Sequence, residues 1–246
     1  MPNSSEETQP DLLNARGPDG GPLYTETDLN APIVEPWNTA SAALFVLIAA
    51  WWMWRLRGRF SKYPFLTGCL PILLVGGIGG TVYHATRSAK AWFLMDVIPI
   101  AFLAMAAAVY IWVRLRPQLW LALLAITLTL ALQCLRFLQG LDRQWMINIS
   151  YGSLAGLVLL PIGIALVRTR FRDAGWVGTA LACFVIAWFC RIADAGRPEF
   201  FPMGTHWLWH TFGALATASL TEYFYRIEGY TLRRATIEQT TNHQSV

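Results

Sequence analysis

Two histidines four residues apart, His206 and His210 in the run Gly204-Thr-His-Trp-Leu-Trp-His210, are the residues of this sequence best placed to do chemistry. Four residues make about one helical turn, so the two imidazoles stand one above the other on a single helix face. That arrangement suits one metal ion, although HxxxH alone is a weak signal. The census strengthens it. The chain has four histidines, of which His243 lies in a polar tail and His84 at the end of an apolar run. Three neutral imidazoles and a water make the open tetrahedral site of a catalytic zinc, where the metal acidifies the water. Asp96, a carboxylate inside an apolar run, is then a candidate general base for that water, or a partner that fixes a histidine's tautomer. Two other readings use the same residues: histidines that only hydrogen-bond within a bundle, and bis-histidine haem ligation. The haem reading leaves one histidine and Asp96 without a role.

The elements that must position these residues are apolar helices. The chain has 246 residues, is 55% hydrophobic and only 14% charged, and carries 12 Trp and 13 Phe. A soluble domain would have about a quarter of its residues charged, so the composition describes a multi-span membrane protein. The formal charge of +4 does not point to nucleic acid, because the basic residues sit in short loops between apolar runs. Residues 1–34 are polar and acidic and contain no basic n-region leading into a short apolar run, so no cleavable signal peptide is expected within them. Seven segments, near 37–54, 64–84, 92–113, 118–137, 146–167, 175–193 and 205–225, are long enough to cross about 30 Å of hydrocarbon. The expected architecture is an all-α, seven-transmembrane helix bundle over 35–227, with a polar N-terminal segment, 1–34, and a polar tail, 228–246.

Loop charges orient the bundle. Arg55, Arg57, Arg59, Lys62, Arg114, Arg116, Arg168, Arg170 and Arg172 fall on one side, joined by Arg226, Arg233 and Arg234 of the tail. The other side holds Arg16, Arg87, Lys90, Arg136, Arg143, Arg191 and Arg197, several of them beside acids. The N-terminus is therefore expected outside or in a lumen and the C-terminus in the cytoplasm. Alternation then brings His84, Asp96, His206 and His210 to one depth on the outer side, with Glu35, Asn38, Tyr151 and Asp194 at the same level. Ionisable groups inside a membrane are costly and mark function. A retinal protein is excluded, because no lysine follows Lys90 to form a Schiff base in the last span.

Four motifs occur in order: Glu35-Pro-Trp-Asn38-Thr-Ala-Ser41, Gly79-Gly-Thr-Val-Tyr-His84-Ala-Thr86, Met95-Asp96-Val-Ile-Pro99 and Gly204-Thr-His206-Trp-Leu-Trp-His210. Together they resemble the alkaline ceramidase family, within the wider membrane-hydrolase superfamily that includes the progestin and adipoQ receptors. The resemblance spans about residues 24–225. It implies a seven-span fold and a zinc-dependent hydrolysis of the ceramide amide bond to a sphingoid base and a fatty acid. It also implies zinc ligation by His84, His206 and His210, with Asp96 holding the attacking water and Asp194 in a supporting role. The superfamily's receptor members make a metal-containing lipid sensor the alternative function.

The sequence departs from the family at Gly80, where the ceramidases have a serine thought to help stabilise the oxyanion. Thr81 and Tyr151 are the hydroxyls placed to supply that function instead, and zinc itself polarises a carbonyl. Val97 stands where many relatives have a second acid. Animal members of the family also bind calcium before the first span. Glu26, Asp28, Asn30, Glu35 and Asn38 offer oxygen donors of the kind calcium takes. The same residues also read as turn formers and helix caps.

Plainer roles are expected elsewhere. Gly76, Gly77, Gly79 and Gly80 thin the second span for close packing, with space for a lipid chain as the alternative. Trp51, Trp52 and Trp54 form an interfacial belt. Glu222 and Arg226 make an i,i+4 pair. Cys69, Cys134, Cys183 and Cys190 are packing residues, with a Cys134–Cys190 bridge as the alternative, and the tail beyond about 230 is irregular.

Overall fold

The computed structural model describes residues 16–115, 119–134, 143–196 and 200–244. Among these residues there are seven α-helices and no strand: α1 Pro36–Leu56, α2 Pro64–Thr86, α3 Lys90–Leu115, α4 Leu119–Cys134, α5 Arg143–Arg168, α6 Ala174–Asp194 and α7 His206–Gln244. A short 3-10 turn, Phe60–Lys62, precedes α2. α1 and α2 both begin with a proline, whose missing N–H costs nothing in the first turn. Pro71, Pro99 and Pro161 lie inside α2, α3 and α5, as membrane helices tolerate when neighbours satisfy the freed carbonyls.

Five helices, α1, α2, α3, α5 and α6, are long and apolar enough to cross a membrane. The apolar part of α4, Trp120–Leu132, is shorter, and Arg136 and the loop beyond it lie outside the described residues. α7 is long but carries His206, His210 and a ladder of threonines. Thr211, Thr217 and Thr221 each hide a hydroxyl against the carbonyl four residues earlier, at 2.7–2.9 Å. The exterior of the bundle is apolar: Phe189, Leu123 and Phe102 are all more than 60% exposed. A water-facing surface would not present such side chains in bulk, whereas a lipid-facing one does.

The buried apolar core occupies one end of the bundle. Trp52 and Leu56 end α1, Leu66 begins α2, Ile111 and Trp112 end α3, and Ile162 and Phe224 join them from α5 and α7. Beneath it, Arg55 and Arg226 share Glu222 at 2.7 and 2.9 Å, and Arg226 and Tyr230 both reach Asp173. Thus the i,i+4 pair forms as expected, inside a wider network. Glu228 of α7 accepts the Phe65 and Leu66 N–H groups at 3.0 and 3.1 Å, capping α2 from another helix. α7 continues to Gln244, where an irregular tail was expected. No glycine or proline follows Gly229, and Leu232, Arg233, Arg234, Ala235 and Glu238 all favour helix. The side chains of 231–244, including His243, lie outside the described residues. All four cysteines are free.

The glycines of α2 do what close packing requires. A Cβ on Gly77 would stand 2.8 Å from the Val46 amide nitrogen of α1, and one on Gly76 would stand 3.0 Å from Pro99 of α3. Gly79 abuts Met95 of α3 in the same way. α2 is thereby clamped between its neighbours, and His84 at its far end is held in register with both.

Candidate metal centre

The polar end of the bundle is built around Asp194, the last residue of α6. One of its oxygens accepts the Thr205 and His206 N–H groups at 2.7 and 3.0 Å, so it caps α7 as a side chain from its own first turn would. Gly204 has φ 70° and lies so tightly against Asp194 and Thr25 that any Cβ would collide. The capped start of α7 aims His206, and one turn later His210, into the bundle.

Residues 16–35 fold over these helix ends as a strap. Val34 and Glu35 bond through their N–H groups to the Ala85 and His84 carbonyls, at 3.0 and 3.1 Å. Thr25 reaches the other side, donating its hydroxyl to the Asp194 carbonyl at 2.7 Å and its N–H to the Asp194 carboxylate at 3.2 Å. Between these attachments the Tyr24 ring stacks on His206 with centroids 3.8 Å apart, and tilts against His84 at 5.5 Å.

His84, His206 and His210 are buried and converge, each offering one ring nitrogen within 4.8 Å of the others. The Nε2 atoms of His206 and His210 are 3.2 Å apart. Two nitrogens bound tetrahedrally to one zinc at 2.0–2.1 Å would be about 3.3 Å apart, so this pair already has the spacing of two ligands. Two of the three outer nitrogens, those of His84 and His210, are engaged in the way ligation needs. His84 Nδ1 lies 2.5 Å from the Glu35 carboxylate, and His210 Nδ1 lies 3.2 Å from the Asn38 carbonyl. Each acceptor assigns a proton to Nδ1 and leaves the Nε2 lone pair for the interior. His84 Nε2 is buried and has no protein partner, as a nitrogen awaiting a metal would be. His206 Nδ1 is likewise buried without a partner.

Glu35 is the hub behind His84. It is fully buried, and its two oxygens take the Arg87 guanidinium and the Thr27 hydroxyl, both at 2.6 Å, along with His84 and the Asn38 amide. Burial pushes its carboxyl up, but His84, Arg87 and Thr27 outweigh that and hold it below the usual glutamate range. Arg87 in turn grips Asp19 of the strap through two bonds, at 2.6 and 3.0 Å. Arg87, Asp19 and Tyr24 adjoin the histidine cluster and its Glu35 hub, and sequence reasoning passed over them. Arg87 and Asp19 read as ordinary loop charges, and the signal available was a cation three residues beyond a candidate ligand.

The other expected site residues are distributed as follows. Asp96 faces α2 directly opposite Gly80, where a Cβ would stand 2.5 Å from its Oδ1. Gly80 lies one turn before His84, so the carboxylate shares that helix face with the ligand. Thr81 donates its hydroxyl to the Gly77 carbonyl at 2.7 Å, within its own helix. Tyr151 packs edge-on against Trp209, at 5.0 Å, and under the Arg191 guanidinium. Glu26 accepts the Trp37 and Asn38 N–H groups and so caps α1. Asp28 closes a turn on the Asn30 N–H at 3.0 Å. Asn38 Oδ1 is the one side-chain oxygen of this set that is buried without a donor. Glu26, Asp28 and Asn30 thus form the cap and turn of the plainer reading.

No protein-family model matches the chain, and a search of curated proteins found no match.

Proposed function

We propose that this chain is a zinc-dependent intramembrane amidase that hydrolyses the amide bond of ceramide or a related N-acyl lipid to an amine and a free fatty acid. All seven helices cross the membrane in this reading, with the N-terminus and the metal centre on the extracytoplasmic side and the C-terminus in the cytoplasm. The observation that carries it is the convergence of three buried imidazoles, two of which have their outer nitrogens tied to Glu35 and Asn38. Such a donor set suits zinc, and the motif resemblance to alkaline ceramidases supplies the substrate class.

His84, His206 and His210 would hold the metal through Nε2. When bound, zinc supplies Lewis acidity to a water and to the amide carbonyl. Asp96 takes a proton from the attacking water and returns it to the departing nitrogen. The water oxygen forms the new bond to the carbonyl carbon, the carbon–nitrogen bond breaks, and the products are a carboxylic acid and an amine. Tyr24 and the strap shut the polar end, so a lipid amide arrives sideways between helices, its chain against the apolar exterior. Gly80, which replaces the family's serine, gives the Asp96 carboxylate room against α2.

Detergent-purified protein incubated with a panel of N-acyl lipids should release fatty acid, and a chelator should stop the release. A metal-retaining lipid sensor would bind the same lipids and leave their amide bonds intact. A Soret band in the purified protein would end the zinc reading.

A further inference from the structure

Arg87 ends α2 in the left-handed region, with φ 47°, a conformation uncommon for a residue with a side chain. Its N–H still closes the helix on the Tyr83 carbonyl at 2.8 Å. The turn of backbone sends the guanidinium back toward the strap, where it lies between two carboxylates that are themselves fully buried. Its Nε and one terminal nitrogen clasp Asp19, and the other terminal nitrogen takes Glu35 at 2.6 Å. One flat face rests against Tyr83 at 4.6 Å. The strap is shaped for this group. A Cβ on Gly17 would come within 2.7 Å of the guanidinium, and one on Gly21 within 3.2 Å.

We propose that Arg87 is the resident cation of the strap: its guanidinium supplies the counter-charge of Asp19 and Glu35 and so keeps a calcium ion from the Glu35 carboxylate. Arg87 is thereby a positioning residue for the metal centre, acting on His84 through Glu35. The proposal rests on the zinc reading. Two buried carboxylates side by side need a counter-charge, and here the chain provides it in permanent form. Arginine suits the task because its fork serves both acids at once. A divalent cation entering the same place would meet the guanidinium at contact distance and would have to displace two bonds to Asp19, one to Glu35 and the Tyr83 ring contact. Calcium therefore has nothing to do at Glu35 in this protein.

The test has two arms. In the first, thermal unfolding of wild-type protein is followed with millimolar calcium and with a calcium-selective chelator; the midpoint should be the same in both. A midpoint raised by calcium would overturn the proposal. In the second, zinc affinity is measured by competition against a colorimetric chelator. Arg87→Met should weaken binding about ten-fold or more, as loss of a residue supporting a ligand does, and Arg87→Lys should restore part of it. Affinity in Arg87→Met equal to wild type would overturn the proposal while leaving the zinc reading intact. Wild-type protein that takes up no zinc would instead remove the zinc reading, and the calcium arm would still decide which cation the strap uses.

Discussion

His84 and Glu35 meet through a 2.5 Å contact between Nδ1 and a carboxylate oxygen, and that contact determines which imidazole nitrogen is left to face the interior. Replacing Glu35 with glutamine keeps the shape and removes the charge. Zinc affinity should fall about 10–100-fold, the range seen when a carboxylate behind a ligating histidine is lost. Chelator competition measures this directly, and unchanged affinity would separate Glu35 from the metal centre.

Asp96 tests the chemistry rather than the binding. Asp96→Asn should lower turnover of an N-acyl lipid by about 10²–10⁴-fold, with bound zinc at the wild-type level. Metal analysis and product release on the same sample distinguish the two. Undiminished turnover would strip Asp96 of its role as base.

Gly80 offers a subtler probe, because its neighbour is the tip of a flexible side chain. An added methyl would stand 2.5 Å from Asp96 Oδ1, and the carboxylate can swing away at little cost. Alanine also favours helix over glycine by about 1 kcal/mol. Gly80→Ala should therefore leave thermal stability level or slightly raised while lowering kcat. A variant that unfolds early would show that Gly80 serves packing instead.

Acid should loosen the strap at a predictable point. Burial raises the Asp19 carboxyl, but Arg87 and the Gly21 N–H more than offset it, so the folded value lies below the ordinary aspartate value of about 3.9. A lowered carboxyl stabilises the fold fully above the unfolded value and loses that contribution as pH falls through the folded one. The gap in unfolding temperature between wild type and Asp19→Asn should be constant above about pH 5 and narrow progressively as pH falls below about 4. A gap that stays constant as pH falls below about 4 would contradict the assignment.

Much of this arrangement is legible in the sequence. Pro36 and Pro64 announce helix starts, the glycines of α2 announce close packing, and counting apolar runs puts His84 at the level of His206 and His210. The strap was not legible. Asp19 and Arg87 are 68 residues apart, and both sit among polar residues where a charge normally means solvent. Nothing local says that this pair is buried; only the fold-back of residues 16–35 makes it so. Gly80 was read as a hydroxyl lost, since sequence reports the missing atoms and not the carboxylate that uses their space. The tail was read as irregular from its polarity, although polarity without a helix breaker is equally the composition of a solvated helix end.

The strap also sets an order of events in synthesis. Thr25 is made early, yet its partner Asp194 lies 169 residues further on, and two of the three histidines come later still. Asp19, Val34 and Glu35 can bind α2 as soon as Arg87 is made, whereas the Thr25 attachment must wait until α6 has been completed. Until then the histidine pocket has no cover. In the zinc reading, Tyr24 can close over His206 only once α7 is in place, so the metal is expected to enter before that last contact forms.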